Sequence, residues 1–115
     1  MADAKNTFVD FELDDGSVIK LTLTYRYLLQ FKTKCKSLYD RYNKIIVKGV
    51  QDEFDNLTII YTAYLCAYLQ IHGSTEESMT EDAFIDAVSS DREAVSFAIQ
   101  SLIYPKKARA SRKPL

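Results

Sequence analysis

The feature that most constrains this chain is an uncharged stretch from Leu57 to His72, which mixes apolar residues with tyrosines and threonines. It is shorter than the ~20 apolar residues that a membrane-spanning helix needs, so we expect no membrane span. A capping residue, Asp52, precedes the stretch and Gly73 follows it, which predicts a helix from residue 52 to about 71. Apolar side chains occupy all sides of this helix. Such a helix is either the buried centre of a domain or keeps one side for a partner.

The N-terminal part of the chain predicts a β-hairpin over residues 7–23. Apolar and polar side chains alternate along 7–13 and again along 18–23, which is the pattern of half-buried strands. The segment 14–17 between them contains Gly16, which is free to adopt the positive φ of a tight turn. One hairpin is marginal in water, so its apolar face is expected to pack on the helices.

Three further helices are predicted around the uncharged one. The chain has three Gly and two Pro, and no Pro precedes residue 105, so few breakers interrupt long helices. One helix is predicted over 25–48, a short one over 81–88 with Phe84, Ile85 and Val88 inward, and one over 91–104. The elements together predict an α+β, mainly α fold, with a hairpin, about four helices in a single domain over 1–104, and a flexible basic tail over 105–115.

The charge of the chain is unevenly distributed. Its 115 residues fit one domain. The last eleven carry five basic residues and no acid, so the ten basic and sixteen acidic residues before them leave a net charge of −6. Because phosphate binding needs a basic surface, we do not expect the acidic body to bind nucleic acid. The tail is open to two direct interpretations, a solubilising end or an arm for nucleic acid or an acidic partner.

The sequence gives little basis for catalysis, a metal or a cofactor. The single histidine, His72, lies at a predicted helix C-terminus, where it suits the helix dipole. Cys35 and Cys66 have no CxxC spacing and lie in apolar helical patterns, so we expect inert, reduced thiols. No phosphate-binding or dinucleotide-binding glycine motif is present in the sequence. We therefore expect no enzyme activity and no cofactor. Residues 1–6 lack a signal-peptide pattern, so an intracellular location is expected.

The uncharged helix is the expected partner-binding element, because it has more apolar sides than one small core requires. Tyrosine suits both core edges and protein interfaces, since it buries a ring and keeps a polar end. Core packing and an interface therefore both remain open for the tyrosines of this helix. The expected surface for a client or for self-association consists of Ile59, Leu65, Cys66 and Leu69 together with Tyr61, Tyr64 and Tyr68.

Four strings extend over nearly the whole chain and carry a resemblance to a known family. They are FELDDGSVIKLTLTYRYLLQFK at 11–32, LYDRYNKIIVKG at 38–49, DEFDNLTIIYTAYLCAYL at 52–69 and SSDREAVSFAIQSLIYPKK at 89–107. In order and length they resemble the tail assembly chaperones of long-tailed phages and prophages of Gram-positive bacteria. None of the strings is a catalytic motif, and the loop IHGSTEES at 71–78 has no functional signature.

The resemblance implies a protein that acts through protein–protein interactions. Members of this family coat the long, apolar, helical tape-measure protein in the bacterial host cytoplasm, form oligomers around it and are absent from the finished virion. In many relatives a programmed ribosomal frameshift adds a domain that recruits tail tube subunits. Pro105, Lys106 and Lys107 fit such a frameshift site, because consecutive lysine codons form an A-rich run. The alternative function is a nucleic-acid-associated helical regulator with a basic C-terminal arm.

Overall fold

The computed structural model describes residues 8–88 and 92–103. In chain order these residues form β1 (Val9–Glu12), β2 (Val18–Leu21), α1 (Tyr25–Lys34), α2 (Lys36–Lys48), α3 (Glu53–His72), α4 (Glu81–Ala87) and α5 (Arg92–Ile103). This order confirms the predicted α+β, mainly α fold with an N-terminal hairpin. Within the described ranges no helix is long and apolar enough to cross a membrane. The predicted tail over 105–115 and the residues that precede α5, 89–91, lie outside the described residues.

The hairpin pairs β1 and β2 antiparallel, with Val9 opposite Leu21. At its end the Leu13 amide donates to the Ser17 carbonyl at 2.8 Å, and the Gly16 amide donates back to the Leu13 carbonyl at 3.0 Å. Gly16 has a φ of +89°, a left-handed conformation that glycine adopts without a Cβ clash. The loop is therefore a three-residue hairpin connection that ends in a glycine bulge. One face of the hairpin is buried against the helices, as the alternation predicts.

The long helix α3 is the centre of the domain. It packs against β2, α1, α2, α4 and α5, and residues 58–67 are all buried. Its start is capped by the Asp52 carboxylate, which accepts from the amides of Phe54 and Asp55 at 3.0 and 3.2 Å. Gly73 ends it in the left-handed conformation. The apolar composition of this helix left two alternatives open, the buried centre of the domain or a side kept for a partner. The middle of α3 is the buried centre of the domain.

The prediction of one continuous helix over 25–48 is wrong, because the helix is interrupted at Cys35. The φ of −132° and ψ of 63° at this residue are not helical. A straight helix of this length would extend about 36 Å, beyond the roughly 30 Å of α3. The interruption allows α1 and α2 each to pack on α3 and on one another. No Gly or Pro marks the position, so tertiary packing overrides the local helix signal and raises the number of helices from four to five.

The short helix α4 begins at a side-chain cap and is held by one aromatic residue. The Thr80 hydroxyl accepts from the Ala83 amide at 3.2 Å. Phe84 is completely buried and Val88 is also buried. Ile85 is 40% exposed, so the prediction that it points inward is wrong. The reason is geometric: Phe84 and Val88 are four residues apart and share one face, while Ile85 lies about 100° around the helix from Phe84.

Candidate interaction surface

The apolar side chains of α3 that were the expected partner surface lie inside the domain. Ile59 and Cys66 have no exposed surface, and Leu65 and Leu69 are 6% and 7% exposed. Five neighbouring elements pack on this helix, so its apolar sides are used by the protein's own core. The expectation that these four side chains form a free surface is therefore wrong for this fold. A charged replacement of Ile59 or Leu69 is expected to unfold the domain, because it buries an unpaired charge.

The tyrosines of α3 form an aromatic cluster with Phe84 of α4. The ring centroids of Tyr61 and Tyr64 lie 5.1 and 5.4 Å from that of Phe84, and Tyr68 lies 5.7 Å from Tyr64. The Tyr61 hydroxyl donates to the Met79 carbonyl at 2.8 Å, and the Met79 amide donates to the Tyr64 hydroxyl at 3.0 Å. Burial raises the pKa of both phenols. Tyr61 and Tyr64 therefore act as core residues that hold the α3–α4 connection, while Tyr68 is half-buried.

The two cysteines and the histidine lie at separate places in the fold. Cys66 is buried and Cys35 is half-buried, and burial raises the pKa of both thiols, which keeps them in the protonated form. His72 ends α3, where its ring centroid lies 4.1 Å from that of Tyr68. In the part of the chain that the structure describes, no three His, Cys, Asp or Glu side chains are grouped so that they could hold a metal ion.

An open groove of about 870 Å³ lies where the first turns of α3 and α5 meet α4. We call it the α3–α5 groove, and its apolar lining consists of Phe54, Leu57, Ile85, Val88 and Val95. Val88 and Val95 are buried at its base, while Phe54 is 65% exposed and Ile85 is 40% exposed. Apolar side chains from three elements thus converge on one concave surface. Concave apolar surfaces with a polar rim are typical of protein interaction sites.

Ion pairs join the helices on either side of this groove to their neighbours. Arg92 Nε lies 2.9 Å from Glu53 Oε1 and joins α5 to the first turn of α3. Arg41 of α2 donates to both carboxylate oxygens of Glu81 on α4, at 2.9 and 2.8 Å, and its Nη2 also lies 3.4 Å from the Thr58 hydroxyl. This bidentate contact lowers the pKa of Glu81 and raises that of Arg41. Such exposed pairs add little free energy, and they connect α5 to α3 and α4 to α2.

Phe54 is the main residue of the groove that sequence reasoning missed. It lies between Glu53 and Asp55 in the first helical turn, directly after the cap Asp52. Acidic residues are favoured in that turn because they interact with the positive end of the helix dipole, whereas a large aromatic ring gains nothing there unless it is covered. An aromatic residue within an acidic helix start is the sequence feature that sets Phe54 apart from its neighbours. For Ile85 the sequence predicts a core position, whereas the side chain borders the groove.

Comparison with known proteins identifies no relative. No family model matches the chain, and no curated protein or solved structure matches it. The predicted frameshift region, Pro105, Lys106 and Lys107, lies outside the described residues. The resemblance to tail assembly chaperones therefore stays a prediction that rests on the four sequence strings.

Proposed function

We propose that this chain is a tail assembly chaperone that binds the tape-measure protein through the α3–α5 groove. The observation that carries the proposal is the exposure of Phe54 and Ile85 in an apolar groove on an acidic domain. The order and length of the four strings support it independently. The proposed protein acts by binding and without catalysis, works in the bacterial host cytoplasm and is absent from the finished virion.

The shape of the groove suits a helical client. An amphipathic helix presents apolar residues at i, i+3, i+4 and i+7, which can enter a groove lined by side chains from separate elements. Phe54 belongs to α3 and Ile85 to α4, so a client helix between them would cover both. Covering the exposed part of a phenylalanine ring contributes on the order of 2–3 kcal/mol. A tape-measure protein, which is long, apolar and helical, offers many such segments along its length.

The proposal extends to self-association and to a second partner. The α3–α5 groove of one copy covers only a short segment of a long client, so several copies are needed to coat it. We therefore include a homo-oligomer in the proposal, with the tail tube protein as the second partner that the family resemblance implies. The association is expected to depend on the presence of the client, because each copy contributes one short contact and the contacts add along the chain.

Co-expression with the tape-measure protein of the same genome tests the proposal. The client is expected to precipitate when expressed alone and to remain in the soluble fraction together with this chain. The double variant Phe54→Glu and Ile85→Glu is expected to lose at least 10-fold in co-purified client, because it places two charges in the apolar groove. Circular dichroism and the thermal midpoint should stay close to those of the unchanged protein, since both side chains are exposed.

A matched control keeps the test specific. Tyr25→Glu changes an aromatic residue that is 88% exposed on α1, away from the groove, and is expected to leave client binding unchanged. If the groove variant binds the client as well as the control does, the groove is not the client site. If the unchanged protein neither binds nor solubilises the tape-measure protein, the proposed function itself is wrong.

A further inference from the structure

The outer edge of β1 is an open strand edge. The Leu13 amide bonds across the hairpin, and in an antiparallel pair every second residue turns its backbone groups to the partner strand while the others turn them outward. Asp10, Glu12 and Asp14 are therefore the outward residues. The Asp14 amide donates to the Ala87 carbonyl at 2.9 Å. The outward amides and carbonyls of Asp10 and Glu12 have no hydrogen-bond partner among the described residues, so they are open to a further strand.

A groove of about 390 Å³ follows this open edge. One wall is β1, from Val9 to Asp14, and the other wall is α5, with Ala94, Phe97 and Ala98. Phe97 is the one aromatic residue of α5, and 69% of it is exposed. A strand added to β1 would lie about 4.8 Å from it, and alternate side chains of that strand would point toward α5 and cover this ring. The groove therefore provides room and an apolar contact for an extended segment.

Acidic side chains surround the open backbone groups. Asp10 and Glu12 are exposed on one face of the hairpin, and the exposed Asp14 follows them at the end of the strand. Lys20 of β2 pairs with Asp10. Glu12 has no ion-pair partner within the described ranges. The edge thus carries an excess of negative charge, and charge complementarity favours a basic partner.

The same charges disfavour a second copy of this chain at the edge. If two copies of β1 paired about a two-fold axis at Phe11, Asp10 of each copy would lie opposite Glu12 of the other. With the axis at Glu12, Asp10 would lie opposite Asp14. Like charges directly opposite one another destabilise a strand pair. Acidic residues that protect an edge from its own kind in this way leave it open to a strand of opposite charge.

We propose that the β1 edge binds an extended segment of another protein in which basic and apolar residues alternate. The segment adds to the hairpin as a third strand and pairs its backbone with the outward groups of Asp10 and Glu12. Its basic side chains lie beside the two carboxylates, and its apolar side chains lie in the groove against Phe97. This inference does not rest on the proposed client, because α5 lines the α3–α5 groove with other residues.

A synthetic peptide tests the proposal on the full chain. The probe is a six-residue peptide of alternating Lys and Val with blocked ends, titrated at low salt and followed by amide hydrogen exchange. At saturation it is expected to slow exchange at Asp10 and Glu12 by about 10-fold or more. Exchange at Phe11 should stay unchanged, because its amide bonds to β2 in either case. A control peptide with three Lys followed by three Val is expected to bind about 10-fold more weakly, since it cannot separate charged from apolar side chains on two faces.

Two pairs of substitutions test the role of the carboxylates. The variant Asp10→Asn with Glu12→Gln is expected to weaken binding of the alternating peptide by about 10-fold, because it removes both charges beside the added strand. The matched control, Glu76→Gln with Glu77→Gln, makes the same change in net charge at exposed positions of the connection before α4 and should keep most of the affinity.

The variant Phe97→Ala tests the apolar half of the surface. It is expected to weaken binding of the alternating peptide by about 5-fold, because it removes the ring that the peptide covers. The thermal midpoint of the free protein should change little, since most of this side chain is exposed.

Four results would overturn the proposal. They are failure of the alternating peptide to bind, and protection of Asp10 and Glu12 in the free chain, which would mean that the edge is already covered. Equal binding of the two peptides, or equal loss of affinity in the two charge variants, would mean that net charge alone attracts the peptide. None of these results bears on the proposed function, whose test reads client binding at Phe54 and Ile85.

Discussion

The middle and the first turn of α3 contain similar side chains in opposite environments. Ile59 and Ile60 in the middle have no exposed surface, whereas Phe54 in the first turn is 65% exposed. The difference lies in the neighbouring elements, because β2, α1 and α2 pack along the helix while α4 and α5 leave the groove open at its start. Apolar composition alone therefore does not tell a core residue from an interaction residue. The elements that cover the side chain decide between the two.

The largest expected effect is the difference in stability between side-chain truncations in these two regions. Ile59→Ala is expected to lower the free energy of unfolding by about 2–5 kcal/mol, because it leaves a cavity in a fully packed site. Phe54→Ala is expected to change it by no more than about 0.5 kcal/mol, since the ring has little to lose from the monomer. Urea denaturation of both variants measures the contrast. Equal losses of stability would show that Phe54 is part of the core.

Raising the pH is expected to lower the stability that α2 contributes by packing on the middle of α3. Tyr42 of α2 is buried near Cys66, and burial raises the pKa of its phenol to about 12. The folded pKa of Tyr42 is above its ordinary value, so the buried, protonated phenol stabilises the folded state. This contribution of Tyr42 to stability is fully present below pH ~10 and is lost as the pH rises toward ~12. The difference in unfolding free energy between the unchanged protein and Tyr42→Phe should fall by about 2 kcal/mol over that range. A difference that stays constant would mean that Tyr42 ionises in the folded state as it does in water.

A smaller loss of stability is expected when the hydroxyl group that joins the buried part of α3 to the α3–α4 connection is removed. Tyr61→Phe keeps the ring packed on Phe84 and removes the hydrogen bond to the Met79 carbonyl. The expected loss is about 1 kcal/mol, the usual net contribution of one such bond. Tyr68→Phe is the matched control, because the ring of Tyr68 is only half-buried. Denaturation midpoints that do not distinguish the two variants would mean that the Tyr61 bond adds nothing to stability.

The smallest effect concerns the ion pair at the boundary between the two regions. Glu81→Gln is expected to cost at most about 1 kcal/mol at neutral pH, because the Arg41 contact is partly exposed. The Arg41 guanidinium lowers the pKa of Glu81, so its contribution is present above the ordinary carboxyl pKa and is lost as the pH falls through the folded value. The difference between the two proteins should therefore disappear in acid. A difference that persists there would point to packing and not to charge.

Local signals predicted the elements well because they depend on a few neighbouring residues. Three local features could be predicted from residue type alone, because each depends on the backbone preference of a single side chain. They are the hairpin turn at Gly16, the cap at Asp52 and the left-handed helix end at Gly73. The interruption at Cys35 could not be predicted, because it results from the fit of α1 and α2 to the length of α3. No residue at that position carries a breaker signal.

The candidate surface was harder to predict than the fold. An apolar helix of 20 residues suggested a partner face, yet the number of elements that would pack on it depends on the whole topology. The exposed apolar residues of the groove, Phe54 and Ile85, come from two helices that are separated by the 73–80 connection. Their convergence is a property of the packed domain, so Phe54 and Ile85 could not be paired from the sequence. The unusual place of Phe54 in an acidic helix start was the one usable signal.

The bonds that Tyr61 and Tyr64 make to Met79 have a consequence for the length of the loop before α4. Both contacts reach the main chain of residue 79, so they do not depend on Glu76 and Glu77, which are exposed at the tip of the loop. The two phenols hold this point of the backbone much as a neighbouring strand would. The loop is therefore a natural insertion point, where a tag or a small domain can be carried while α4 keeps its place on the core.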